Sequence, residues 1–252
     1  MENIICEDHK VAYTKSGKGK QAVVLLHGWG VDHHLMEPLA VHLQTYFKVY
    51  NLDWPGFGES ETPKYAFSTT DYCRILTEFI NKLNIKEPLI IGHSFGCRIA
   101  LRYAALKPVK KMILAAAAGL PPKRGADYYI KVYTYKALKQ LRRLPFFEEL
   151  ATQVDYGSED YRQLSGVMKT TFVKVVNEDI RSELSKINCE VLLVYGEYDE
   201  DTPLWMGEYL EKNLPNAGLA VFAGDDHYAY LNQLSRFLQV TDIFFKEEEE
   251  NA

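Results

Sequence analysis

The sequence predicts an α/β fold, a mostly parallel sheet with helices on both faces. Three observations predict it. Short apolar runs recur along the 252 residues. Amphipathic helical patterns alternate with them. The runs are near-continuously apolar, as suits strands buried on both faces of a parallel sheet. They lie at 22–26 (Ala-Val-Val-Leu-Leu), 47–52, 88–91, 109–115, 191–195 (Val-Leu-Leu-Val-Tyr) and 218–222. Segments 2–7 and 9–14 add an opening antiparallel hairpin. Among the helices, Tyr72, Ile75, Leu76, Phe79, Ile80 and Leu83 share one face, and Ser68 with Asp71 forms a capping signal upstream. Leu35, Leu39 and Leu43 mark another helix, and Leu231, Leu234, Leu238 and Phe245 the last.

The alternation stops over 119–186, which opens on Gly119-Leu120-Pro121-Pro122 and carries helical patterns without a convincing strand. The predicted organisation is therefore a core of 1–118 and 187–246, a helical cap over 119–186, and an acidic, disordered tail at 247–252. Hydrophobic residues at 47% and charged residues at 25% are ordinary for a globular chain. The net charge of −5 argues against a nucleic-acid partner. Cys6, Cys73, Cys97 and Cys189 form no C-x-x-C pair, so free thiols in a reducing cytoplasm are expected, with no zinc or redox motif. Residues 1–10 lack the basic start and apolar run of a signal peptide. No apolar stretch reaches the roughly 18–20 residues that cross a bilayer, so no membrane partner is expected.

The chemistry centres on Gly92-His93-Ser94-Phe95-Gly96, between a strand and a helical pattern. A serine on so sharp a turn adopts a strained backbone and projects its hydroxyl above the sheet, with a helix N-terminus beneath it. His27-Gly28-Trp29-Gly30 follows the first buried strand. Its turn can aim an N–H at a developing oxyanion, and the amides of Trp29 and Phe95 are the two expected donors. Asp199, in Gly196-Glu197-Tyr198-Asp199, follows a later strand and can orient a histidine, with Glu197, Glu200 and Asp201 as competitors. His227 follows the last strand and can shuttle the serine proton near neutral pH. His93, the rival histidine, is expected to pack beneath the turn.

These segments, with Asp53-Trp54-Pro55-Gly56-Phe57-Gly58-Glu59-Ser60, resemble the α/β-hydrolase superfamily in its compact, lidded branch of small esterases, over about residues 10–245. The order Ser94, Asp199, His227 is that family's order. The resemblance implies an eight-stranded, mostly parallel sheet, a helical lid between strands six and seven, a site floor formed by 53–60, and no cofactor. Two positions depart from it: Cys97, where glycine is common and tighter packing is expected, and Asp226, whose carboxylate either perturbs His227 or faces solvent.

Within the lid, Lys123, Arg124, Lys131, Lys136, Lys139, Arg142 and Arg143 interleave with Tyr128, Tyr129, Tyr133 and Tyr135. Such a segment either attracts an anionic or aromatic substrate or is a solvated helix whose tyrosines pack on the core. Trp29, Tyr128, Phe146 and Phe172 are the candidate substrate contacts. The expected activity is hydrolysis of a small-molecule carboxylic ester or similar acyl bond through an acyl-enzyme. C–C bond hydrolysis, thioester hydrolysis and lactone hydrolysis on the same residues are alternatives, and a non-catalytic receptor is a further one. Aspartate-nucleophile dehalogenation does not fit Ser94. No metal site is expected, because His33 and His34 are neighbours on a predicted helix and such neighbours face different ways.

Overall fold

The computed structural model describes residues 1–121 and 164–249. Strands β1 (Glu2–Cys6) and β2 (His9–Ser16) pair antiparallel around a two-residue turn. That turn places Glu7 and Asp8 at φ of 47° and 59°, the positive-φ geometry that matches hairpin twist. Six further strands complete the sheet: β3 (Ala22–Leu26), β4 (Lys48–Leu52), β5 (Leu89–His93), β6 (Lys111–Ala115), β7 (Glu190–Gly196) and β8 (Ala217–Phe222). Their order is β1-β2-β4-β3-β5-β6-β7-β8, with β2 antiparallel to β4 and every later pair parallel. The expected eight-stranded sheet is present, and the described residues of the segment expected to form a lid lie between β6 and β7.

The α-helices among the described residues are α1 (Glu37–Leu43), α2 (Thr69–Lys82), α3 (Phe95–Ala104), α4 (Gly166–Asn177), α5 (Leu204–Asn213), α6 (Ala229–Asn232) and α7 (Leu234–Glu249). Alternate strand residues face opposite sides. Val24, Leu26, Ile90 and Leu114 enter one core with α2 and α3, while Val23, Leu25, Leu89 and Ile91 enter another with α1 and α7. Each large apolar side chain so buried contributes roughly 1.5–3 kcal/mol. Helix α2 begins at the expected capping box: Ser68 accepts from the Asp71 N–H, and the Asp71 carboxylate accepts from the Ser68 N–H.

Three expectations need correction. The helix marked by Leu35, Leu39 and Leu43 divides into a 3-10 turn (His33–Met36) and α1, with Pro38 in the first turn of α1, where a missing N–H costs nothing. The last helix is also divided, at Gln233, and its fully buried stripe is Phe237, Thr241 and Phe245, with Leu231, Leu234 and Leu238 only partly covered. Finally, α7 runs to Glu249, into the stretch expected to be disordered. Glutamate is a good helix former, so the helix propagates from its buried stripe.

Candidate active site

The strand C-termini of β3, β5, β6, β7 and β8 share one edge of the sheet. Strand order reverses around β3 and β5, and such a switch point is where open α/β sheets gather their functional loops. Ser94 follows β5 there. Its backbone sits at φ 49°, ψ −108°, a left-handed conformation costing about 1–3 kcal/mol in a non-glycine residue. The surroundings hold it: the Ser94 N–H donates to the Ala115 carbonyl at 2.9 Å, and its own carbonyl accepts from Cys97 at 3.1 Å and Ala118 at 3.3 Å. Gly96 makes the turn possible, because a Cβ there would lie 2.2 Å from the Leu26 carbonyl oxygen. Cys97 is fully buried, with its Sγ donating to the Ala115 carbonyl at 3.3 Å, the tight packing expected.

Asp199 and His227 meet. His227 Nδ1 lies 2.9 Å from Asp199 Oδ2 and 3.1 Å from Oδ1. A carboxylate only accepts, so Nδ1 carries the proton and Nε2 presents its lone pair. The Asp199 carboxylate is wholly buried, and it also accepts from the Asp201 N–H at 2.9 Å, the Thr202 N–H at 2.8 Å and the Thr202 hydroxyl at 2.7 Å. Burial works to raise its pKa, but the hydrogen bonds from His227 and Thr202 outweigh it and hold the group below the usual carboxylate range. Of its competitors, Asp201 contributes a backbone N–H, and Glu197 accepts from Gly224 at 2.9 Å. Thr202, which sequence reading missed, spans the Asp199 carboxylate and the Ala116 carbonyl, the latter at 3.1 Å.

Ser94 comes to the same edge but makes no hydrogen bond to His227 among the described residues. Its chain neighbour bridges the two: His93 Nε2 lies 3.1 Å from the His227 carbonyl oxygen, and the two rings are 4.9 Å apart. His93 is buried beneath the turn, as expected. Burial, and then the proximity of His227, push its pKa down to about 3.

Phe95 is the first residue of α3, so its N–H has no intrahelical acceptor. The turn carrying Trp29 lies against the Ser94 turn, since a Cβ on Gly28 would sit 3.5 Å from the Ser94 Cβ. Trp29 is half-buried in an aromatic group, with ring centroids 4.9 Å from Phe57, 5.3 Å from Phe95 and 5.2 Å from Phe172. Helix α4 thus brings Phe172 against Trp29, and Met168 over Gly56. Tyr128, Phe146 and the lid's basic residues lie outside the described residues. His27 is buried, with Nε2 accepting from the Trp54 N–H at 3.0 Å and Nδ1–H donating to the Gly28 carbonyl at 2.7 Å; burial lowers its pKa to about 4.

The 53–60 segment, which follows β4, is held together by Asp53. Asp53 is fully buried, accepting from the Glu59 N–H at 2.9 Å and the His33 N–H at 2.7 Å, with His33 Nδ1 a further 2.9 Å away. The premise that His33 and His34 face different ways fails: their ring centroids are 4.0 Å apart. They start a 3-10 turn, and separate carboxylates draw in the two rings, Asp53 at His33 and Asp32 at His34, the latter at 3.0 Å. Asp226 is exposed and accepts from the Tyr228 N–H at 2.9 Å, so it shapes the turn after β8.

An eight-stranded sheet with a strained serine elbow after its fifth strand, and an Asp–His pair after its seventh and eighth, defines a class. The chain belongs to the alpha/beta hydrolase fold family, whose profile matches residues 21–234. Among curated proteins it is 26% identical to a 2-hydroxy-6-oxononadienedioate/2-hydroxy-6-oxononatrienedioate hydrolase of Burkholderia vietnamiensis, over 94% of this chain and 91% of that one. It is 25% identical to a pimeloyl-[acyl-carrier protein] methyl ester esterase of Serratia marcescens, over 90% and 95% respectively. Among solved structures it superposes on an esterase from Exiguobacterium antarcticum with a TM-score of 0.76 at 24% identity, covering 97% and 98% of the two chains.

Proposed function

We propose that the chain is a serine hydrolase of small-molecule carboxylic esters, with Ser94 as nucleophile, His227 as general base and acid, and Asp199 as the orienting carboxylate. The observation that carries this reading is the buried Asp199–His227 pair at 2.9 Å on the edge where Ser94 is held at φ 49°. The pair fixes the tautomer that leaves Nε2 basic. Substrate binding completes the contact between Ser94 Oγ and Nε2, which often tightens only in the complex. Oγ then attacks the carbonyl carbon and its proton passes to Nε2. The Trp29 and Phe95 N–H groups take the oxyanion, and losing one such donor costs about 3–4 kcal/mol. Collapse expels the alcohol with the proton from Nε2, and water releases the acid by the same route in reverse.

The group of Trp29, Phe57, Phe95 and Phe172 supports an apolar substrate portion beside the nucleophile. Residues 119–186 are assigned to a cap over the 1–118 and 187–246 core, consistent with Phe172 of α4 reaching Trp29. No helix among the described residues is long and apolar enough to cross a membrane. The four free cysteines, three of them buried, support a reducing, cytoplasmic setting. C–C bond hydrolysis is the second reading, favoured by the 26% identity to a hydrolase named for a dienedioate substrate.

A panel of p-nitrophenyl acetate and butyrate, acyl thioesters, lactones and vinylogous diketones separates these readings. We expect ester turnover that Ser94→Ala abolishes without loss of fold. Turnover of the vinylogous diketone alone would move the assignment to the C–C reading, and full ester activity in Ser94→Ala would remove the serine from the mechanism.

A further inference from the structure

We infer that His93 is a positioning residue that ties the general-base loop to the oxyanion turn, an inference that rests on the serine-hydrolase reading above. Three observations place it there. First, Nε2 lies 3.1 Å from the backbone carbonyl of His227. A carbonyl only accepts, so the His93 proton sits on Nε2 and donates to the residue that carries the base. Second, the opposite edge of the ring, Nδ1, is buried and has no hydrogen-bond partner among the described residues. It looks onto Gly28, where an added Cβ would come within 2.8 Å of Nδ1. A glycine Cα–H therefore faces that lone pair, and Trp29, with its proposed oxyanion N–H, is the next residue. Third, the ring is packed on its remaining sides by His227, Tyr228 and Tyr230, with centroids at 4.9, 5.3 and 4.7 Å.

An orphaned buried acceptor is unfavourable, and a merely space-filling residue at this position would be better apolar. Imidazole is retained, on this account, for the one bond from Nε2 to His227. His93 also precedes Ser94 directly. A single rigid ring thus sets the separation between the base loop, the nucleophile turn and the turn of Gly28 and Trp29. Burial keeps it uncharged, so its tautomer persists over the working pH range.

The test compares two unbranched replacements of similar shape in the full chain. His93→Gln keeps a side-chain N–H donor near the reach of Nε2, and His93→Met has none. We expect His93→Met to lower kcat for p-nitrophenyl butyrate by about 10- to 100-fold, since small misplacements of reacting groups cost up to about that much. KM should stay within about threefold of wild type, and the rate of Ser94 labelling by a fluorophosphonate should fall in parallel. His93→Gln should recover most of the loss. Equal impairment of the two folded variants, or wild-type kcat in His93→Met, would overturn the proposal. A companion measurement needs no variant: 15N NMR of the wild-type protein should show a protonated Nε2 and an unprotonated Nδ1 at His93, and the reverse tautomer would overturn the inference. Ser94→Ala run alongside separates the two claims. Activity retained in both Ser94→Ala and His93→Met removes the hydrolase reading itself, whereas activity retained in His93→Met alone removes only the positioning role.

Discussion

Replacing Asp199 with asparagine separates the tautomer of His227 from the shape of the site. Asp199 Oδ1 accepts two backbone N–H groups, from Asp201 at 2.9 Å and Thr202 at 2.8 Å. An amide nitrogen cannot accept, so the asparagine oxygen must stay at that position. Its NH2 then occupies the place of Oδ2, 2.9 Å from His227 Nδ1 and 2.7 Å from the Thr202 hydroxyl. A donor there requires a lone pair on Nδ1, which moves the imidazole proton to Nε2, so the proposed base nitrogen can no longer take a proton. The Thr202 hydroxyl can still donate to the Ala116 carbonyl at 3.1 Å, so that hydroxyl is not orphaned and the fold should persist. The expected loss in kcat is about 10⁴-fold, or roughly 5.4 kcal/mol. Initial rates with p-nitrophenyl butyrate from pH 5 to 9, beside thermal unfolding, measure it. An Asp199→Asn protein that keeps more than about a tenth of wild-type kcat, in a chain where Ser94→Ala is inactive, would refute the tautomer argument.

Three further predictions concern the scaffold. His93 and His27 have pKa values lowered by burial to about 3 and about 4, so the unfolded chain binds more protons below about pH 6.5; stability should be full above that pH and fall by up to about 1.4 kcal/mol per histidine per pH unit on acidification, with urea midpoints at pH 7, 5.5 and 4.5 as the check and a flat profile as the contrary result. Gly96→Ala forces a Cβ to 2.2 Å from the Leu26 carbonyl oxygen, a backbone atom, and should destabilise the chain by about 1–3 kcal/mol or more and lower kcat, whereas wild-type unfolding and turnover would show that the elbow has slack. Glu178, just past α4, accepts from the Thr69 N–H at 3.0 Å through its carboxylate and from Arg98 at 2.7 Å through its carbonyl; Glu178→Ala should raise KM for longer acyl chains with kcat little changed, by loosening the helix that carries Phe172, and an unaltered chain-length profile would count against α4 as a pocket wall.

Much of the fold was legible because its signals are local. Apolar strands such as 22–26 and 191–195 carry their own pattern, and the serine elbow needs only a strand, a small-residue turn and a helix in sequence. Asp199 and His227 could be found because each follows a strand and strand ends share an edge. What stayed hidden depends on long-range placement. Thr202 is an ordinary threonine until the Ala116 carbonyl approaches it from the end of β6. Asp53 reads as a loop acid until its fold-back on His33 buries it. The rule that neighbouring side chains diverge holds for α-helices, and it failed at His33 and His34 because two carboxylates draw the rings together at a 3-10 turn. The split of the final helix was equally illegible: the leucine pattern is amphipathic across the break, and only packing shows that Phe237 and Phe245 set the buried stripe.

On the proposed mechanism, His227 activates Ser94. Its most direct test is covalent trapping with a fluorophosphonate, read by peptide mass spectrometry in the wild-type, Ser94→Ala and His227→Ala proteins. One adduct per chain is expected on the peptide containing Ser94, with no adduct in Ser94→Ala and labelling slowed by at least about 10²-fold in His227→Ala. A label on another residue, or undiminished labelling without the imidazole, would contradict it.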